Sequence, residues 1–165
     1  MGPTTPLWKN HNVMKPQELN AGRKHYTRPS KNKGLRVGTW NVLTLYRAGA
    51  LKNLMEIIYE KGIDILAIQE MRWTGHGIMV KKEGTGYYRC HDSKHQFGTG
   101  FIVSKKVQQL VIDFQPINMT MCKIRIRGRF RNYSTFSVHA PTEEKEEEAK
   151  DHFYYTREKE YKKSH

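Results

Sequence analysis

The sequence predicts an α/β fold, and three neighbouring stretches carry that prediction. Leu35, Val37 and Thr39 alternate in a short apolar and β-branched run that reads as a strand. Residues 48–61 space Leu51, Leu54, Met55, Ile57 and Ile58 along one helical face, and Gly62 follows as a C-cap glycine. Ile63–Ile68 is a near-continuous apolar run suited to a buried strand. Together they form a βαβ unit, whose two strands are parallel neighbours. Asn41 and Glu70 then fall at the C-terminal ends of those strands, the edge where open α/β sheets bind ligands. An amide and a carboxylate delivered there can share one hard cation.

The loop Met71–Gly77 follows Glu70 and contains two glycines. Arg72 in this loop is suited to a phosphate and Trp73 to stacking on a base. The alternative is that Arg72 is a neutralising surface partner for the carboxylate. Strands are expected over 86–90, 99–104, 108–114, 121–127 and 131–139, with a tight turn at Gly128-Arg129 joining the last two. Gly98 and Gly100 open the second of these, where small residues permit close backbone approach beneath a site. In Lys123-Ile-Arg-Ile-Arg127, alternation sends Ile124 and Ile126 inward and Lys123, Arg125 and Arg127 outward. That outer row is a nucleic-acid-facing stripe or simply the solvated face of a sheet. His139 lies where Pro141 ends the last strand. Residues 143–165 read as a charged helix with Thr142 as N-cap, on which Asp151 and His152 are solvated surface groups.

At 165 residues, 37% hydrophobic, the chain holds one domain with a modest core. Its net charge of +13 favours polyanionic partners, nucleic acid before an anionic membrane surface. No apolar run approaches membrane-spanning length. Two well-separated cysteines, Cys90 and Cys122, argue against zinc or disulfide frameworks and for a reducing compartment. Residues 1–33 combine four prolines with seven Lys/Arg against Glu18 alone, and read as a disordered basic tail preceding a domain at 34–165.

Gly38-Thr-Trp-Asn-Val42, Ile65-Leu-Ala-Ile-Gln-Glu70, Gly98-Thr-Gly-Phe101 and Val138-His-Ala-Pro-Thr142 resemble, in order and spacing, the first half of the endonuclease/exonuclease/phosphatase superfamily. The wording is most similar to the apurinic-type endonuclease domain of non-LTR retrotransposons. The resemblance implies a four-layer α/β sandwich with two face-to-face sheets and helices outside, of which this chain holds the first half. It also implies Mg²⁺- or Mn²⁺-dependent cleavage of DNA phosphodiesters. Glu70 would be the metal ligand, Asn41 a second ligand or the amide that orients it, and His139 a phosphate contact or proton donor to the leaving group. The superfamily's later Asp-x-Asn and terminal Asp-His motifs do not follow Thr142. The chain is therefore expected to be weak or inactive alone, or a binding module, to leave a sheet face uncovered for self-association, and to work in the nucleus.

Overall fold

The computed structural model describes residues 34–164; the basic segment 1–33 lies outside them. Five strands form the first sheet: β1 (Val37–Asn41), β2 (Ile65–Gln69), β3 (His76–Val80), β4 (Gly84–Arg89) and β5 (Thr99–Ser104), in the order β1-β2-β5-β4-β3. The second sheet is a meander of β6 (Val111–Asn118), β7 (Met121–Ile126) and β8 (Tyr133–Val138). Helix α1 (Ala50–Lys61) links β1 to β2, and α2 (Glu147–Lys162) follows β8.

The βαβ reading holds. β1 pairs parallel to β2, with Asn41 opposite Gln69, and α1 ends at Gly62 in the left-handed conformation. Leu54, Met55 and Ile58 of α1 pack on Leu66, Ile68, Met79, Tyr88 and Ile102 on one face of the first sheet. The opposite face buries Ile65, Ala67, Phe101 and Val103 against Cys122, Ile124 and Ile126 of the second sheet. Strand β8 lies over β2 and β5, while β6 lies over β4. Burying each such large side chain contributes on the order of 1.5–3 kcal/mol. On the outer face of the second sheet, Lys123 Nζ donates to Ser164 Oγ at 3.3 Å, just past the end of α2. The layers are therefore helix, sheet, sheet, helix.

The second sheet covers the middle of the inner face of the five-stranded sheet, over β2, β5 and β4. At its two edges the same face stays open: Val37 of β1 and Ile78 and Val80 of β3 are exposed there, and β1 and β3 each pair with one strand only.

Four local readings change. Strand β3 was hidden because only Met79 in it is buried, while Ile78 and Val80 face out at the sheet edge. Residues 108–110 form a 3₁₀ turn, and the strand after it runs on to Asn118 through Pro116. An edge strand tolerates that proline, since β6 pairs only with β7 and the register shifts there. The link from β7 to β8 spans residues 127–132 and is longer than a tight turn. Helix α2 starts at Glu147, with Glu146 rather than Thr142 as its N-cap.

Candidate active site at the parallel strand ends

Asn41 is the last residue of β1, Glu70 the first after β2, and His139 the first after β8. Parallel pairing of β1 with β2, and the placement of β8 over β2, bring all three to one end of the sandwich. Backbone bonds then fix the loops. Val42 N–H donates to Gln69 O at 3.0 Å, Leu45 N–H to Met71 O at 2.9 Å and Arg72 N–H to Phe97 O at 2.8 Å. Among the described residues, the non-glycine residues with positive φ are Leu43 (57°), Glu70 (57°), Arg72 (58°) and Phe97 (55°). All four lie at this end of the molecule. Such conformations cost on the order of 1–3 kcal/mol each and concentrate where a site needs them.

Glu70 sits at the centre. Asn41 Nδ2 donates to its Oε1 at 2.8 Å, and Asn41 Oδ1 accepts from Leu43 N–H at 3.0 Å. Asn41 is therefore a clamp that orients Glu70, with its own side chain fixed by the Leu43 backbone. Arg72 donates to Glu70 Oε2 at 3.1 Å, and His139 Nδ1 stands 3.9 Å from Oε1. The Asn41 hydrogen bond, aided by Arg72 and His139 and opposed by partial burial, holds the Glu70 carboxyl below the usual carboxylate range. A depressed pKa means the clamp stabilises the fold above the ordinary glutamate pKa and loses that contribution as pH falls through the folded value. Asn41→Ala is expected to move the Glu70 carboxyl back up, which a ¹³C carboxyl titration reads directly. An unchanged titration would remove Asn41 from that role.

An aromatic and cationic rim surrounds the carboxylate. His95 Nδ1 lies 3.0 Å from the Arg72 carbonyl, and the His95 ring packs on Tyr46 at 4.6 Å between centroids. Phe97 approaches His139 at 6.0 Å. Behind the site runs a polar pin that the sequence reading missed. Gln69 Nε2 donates to Ser137 Oγ at 3.0 Å, and Ser137 donates to Ile68 O at 3.0 Å, tying β2 to β8 across the two sheets. Gln69 and Ser137 are both buried, one residue before Glu70 and two before His139. The signal was present: a glutamine inside an otherwise apolar buried strand requires a partner.

A family model described as the endonuclease/exonuclease/phosphatase family matches residues 38–163. The chain belongs to that family. Craniofacial development protein 2 from Bos taurus is 33% identical over 118 residues, covering 72% of this chain and 20% of the relative. The protein of the same name from Tragulus javanicus is 34% identical over the same shares. The chain thus spans about a fifth of the curated relatives it matches. Members of the endonuclease/exonuclease/phosphatase family generally depend on a divalent metal. Among the described residues, no group of three or more His, Cys, Asp or Glu side chains is placed to hold a metal ion.

Two candidate nucleic-acid contacts are corrected by burial. Trp73 is 2% exposed, donates its indole N–H to Leu45 O at 3.1 Å and meets Tyr88 edge-on, so it is a core residue that cannot stack on a base. Lys123 is 7% exposed, covered where α2 ends. The outward stripe therefore breaks at its first member. Arg125 and Arg127 are exposed, and Arg125 faces Asp113 across the strand pair. Of the nucleic-acid candidates, only Arg72 lies beside Glu70. Both cysteine thiols are buried, which pushes each up to about 12 and makes neither a nucleophile at neutral pH.

Proposed function

We propose that this chain carries the metal- and phosphate-holding part of a nucleic-acid phosphodiesterase site. The observation that supports this best is Glu70, kept anionic and oriented by Asn41, beside Arg72 and His139 at the strand ends. Its donor set fits Mg²⁺ or Mn²⁺. Each Glu70 oxygen accepts one hydrogen bond and keeps lone-pair capacity, and such cations typically take one or two carboxylates with water and substrate phosphate. Glu70 would hold the ion, which when bound polarises the phosphoryl oxygens.

The chain's own groups do the rest. Arg72 can leave Glu70 Oε2 to contact a non-bridging phosphate oxygen with its guanidinium. His139, once protonated, supplies a second positive charge to the phosphate or gives its proton to the leaving oxygen. Asn41 keeps Glu70 oriented throughout. DNA is the substrate class that the net charge of +13 and the family favour, with the nucleus as the matching compartment.

Supercoiled plasmid with Mg²⁺ tests this. The nicking that occurs should vanish with chelator and with Glu70→Gln. Nicking that persists in the Glu70→Gln protein would overturn the assignment. The net charge of +13 favours a second reading, a module that grips nucleic acid without cutting. A salt-sensitive gel shift with no nicking in either protein decides for it.

A further inference from the structure

A group of exposed cations lies at the other end of the sandwich from Glu70. The β7–β8 link, residues 127–132, places Arg127, Arg129 and Arg131 around Phe130, which is 90% exposed. None of these three arginines forms an ion pair among the described residues; the Arg129 guanidinium lies 5.3 Å from the Phe130 ring centroid instead. Between Asp113 and Glu143 the sequence contains no acidic residue at all. Nearby basic groups at this end are in part already committed: Lys106 pairs with buried Asp64 at 3.2 Å. The tip is also fixed at its base. Arg127 N–H donates to Leu110 O at 2.7 Å, and Gly128 packs so closely on Tyr133 and the Arg131 carbonyl that a Cβ there would collide with both.

We propose that this hairpin tip is a second nucleic-acid contact, in which the three arginines grip backbone phosphates and Phe130 stacks on an unpaired base. The inference rests on the reading of the chain as a nucleic-acid protein, and extends it to a surface separate from the cleavage site. Strand β8 separates the two places: seven steps from Asn132 to His139, at about 3.3 Å each, give roughly 23 Å. One phosphate cannot reach both. At the stacked spacing of about 3.4 Å per nucleotide of one strand, the tip would meet phosphates about seven nucleotides from the one at Glu70. An exposed phenylalanine flanked by arginines is the pairing that single-stranded binders use for stacking with phosphate contact.

Binding is measured on the whole chain in chelator, so that cleavage plays no part, with a fluorescent single-stranded oligonucleotide across a salt series. In Arg127→Gln/Arg129→Gln/Arg131→Gln, the slope of log affinity against log salt should fall by about 2, at about 0.7 per lost phosphate contact on single strands. Phe130→Ala should weaken binding about 5- to 100-fold while leaving that slope unchanged. The control Arg157→Gln/Lys159→Gln/Lys163→Gln on and beside α2 lowers the net charge equally and should leave the slope near wild type. Equal slope losses in both triple variants would reduce the effect to net charge and overturn the proposal. So would an unchanged slope in the hairpin variant, or a hairpin effect seen only with anionic phosphatidylserine vesicles. Failure of plasmid nicking leaves these readouts untouched, so the two readings fail separately.

Discussion

Phe101→Ala is expected to lower the unfolding free energy by about 3–5 kcal/mol, the usual cost of emptying a buried phenylalanine site. Phe101 is fully buried on β5, opposite Ala67 of β2 and Tyr87 of β4 in the first sheet. It belongs to the layer that meets Cys122, Ile124 and Ile126 of the second sheet. The small Ala67 beside it leaves space that the ring fills, so the truncated side chain has no neighbour able to collapse into the gap. Net stability of such a domain is about 5–15 kcal/mol, so the variant should sit close to its unfolding threshold at 25 °C. Urea melts of the two proteins measure the difference. A cost under about 1 kcal/mol would mean that the two sheets do not pack through Phe101, and that the inner face is open after all.

Gly98→Ala is expected to damage fold and site together. Gly98 has a φ of +104°, which side-chain-bearing residues rarely adopt, and a Cβ there would stand 2.5 Å from the buried Cys90 sulfur. The backbone strain alone is worth about 1–3 kcal/mol. The same residue accepts from Met71 N–H at 3.3 Å and donates to Met119 O at 3.2 Å, so it anchors the turn that presents Glu70 and Arg72. Amide shifts of Met71 and Arg72 should move along with the melting temperature. Adding Cys90→Ala should relieve the collision but not the strain, recovering only part of the loss. Full recovery would show that the positive φ carries no cost.

These two residues also show where the sequence was legible. Gly98 and Gly100 stood out as points of close approach because nothing but backbone fits there, and Asn41 and Glu70 because a βαβ unit delivers its strand ends to one edge. Ile124 and Ile126 were recognisable as inward residues from alternation, and Ile65, Ala67, Phe101 and Val103 as apolar strand residues that do meet the second sheet, whereas Phe136 and Val138, expected with them, lie on the side of Lys123 while Ser137 turns inward. What alternation could not say is that they face one another; that depends on which strands stack, a property of topology rather than of local pattern. The same limit explains Trp73 and Lys123. Each sits in a polar, loop-like or alternating context, and each is covered by a distant segment, Leu45 in one case and Ser164 in the other. Strand β3 was invisible because an edge strand with one buried side chain carries no period. The Gln69–Ser137 pin joins residues 68 apart in the chain, which no spacing rule detects.

The central claim is that Glu70 holds a divalent cation at the ends of β1 and β2. Manganese is the direct probe, since its paramagnetism broadens only nearby resonances and needs no catalysis. In a titration of the ¹⁵N-labelled chain with Mn²⁺, the amides of Asn41, Glu70, Arg72 and His139 should broaden first. In Glu70→Gln, whose remaining spectrum should overlay that of the parent protein, this selective broadening should disappear. Broadening that survives the substitution, or that begins around another set of residues, would contradict the account.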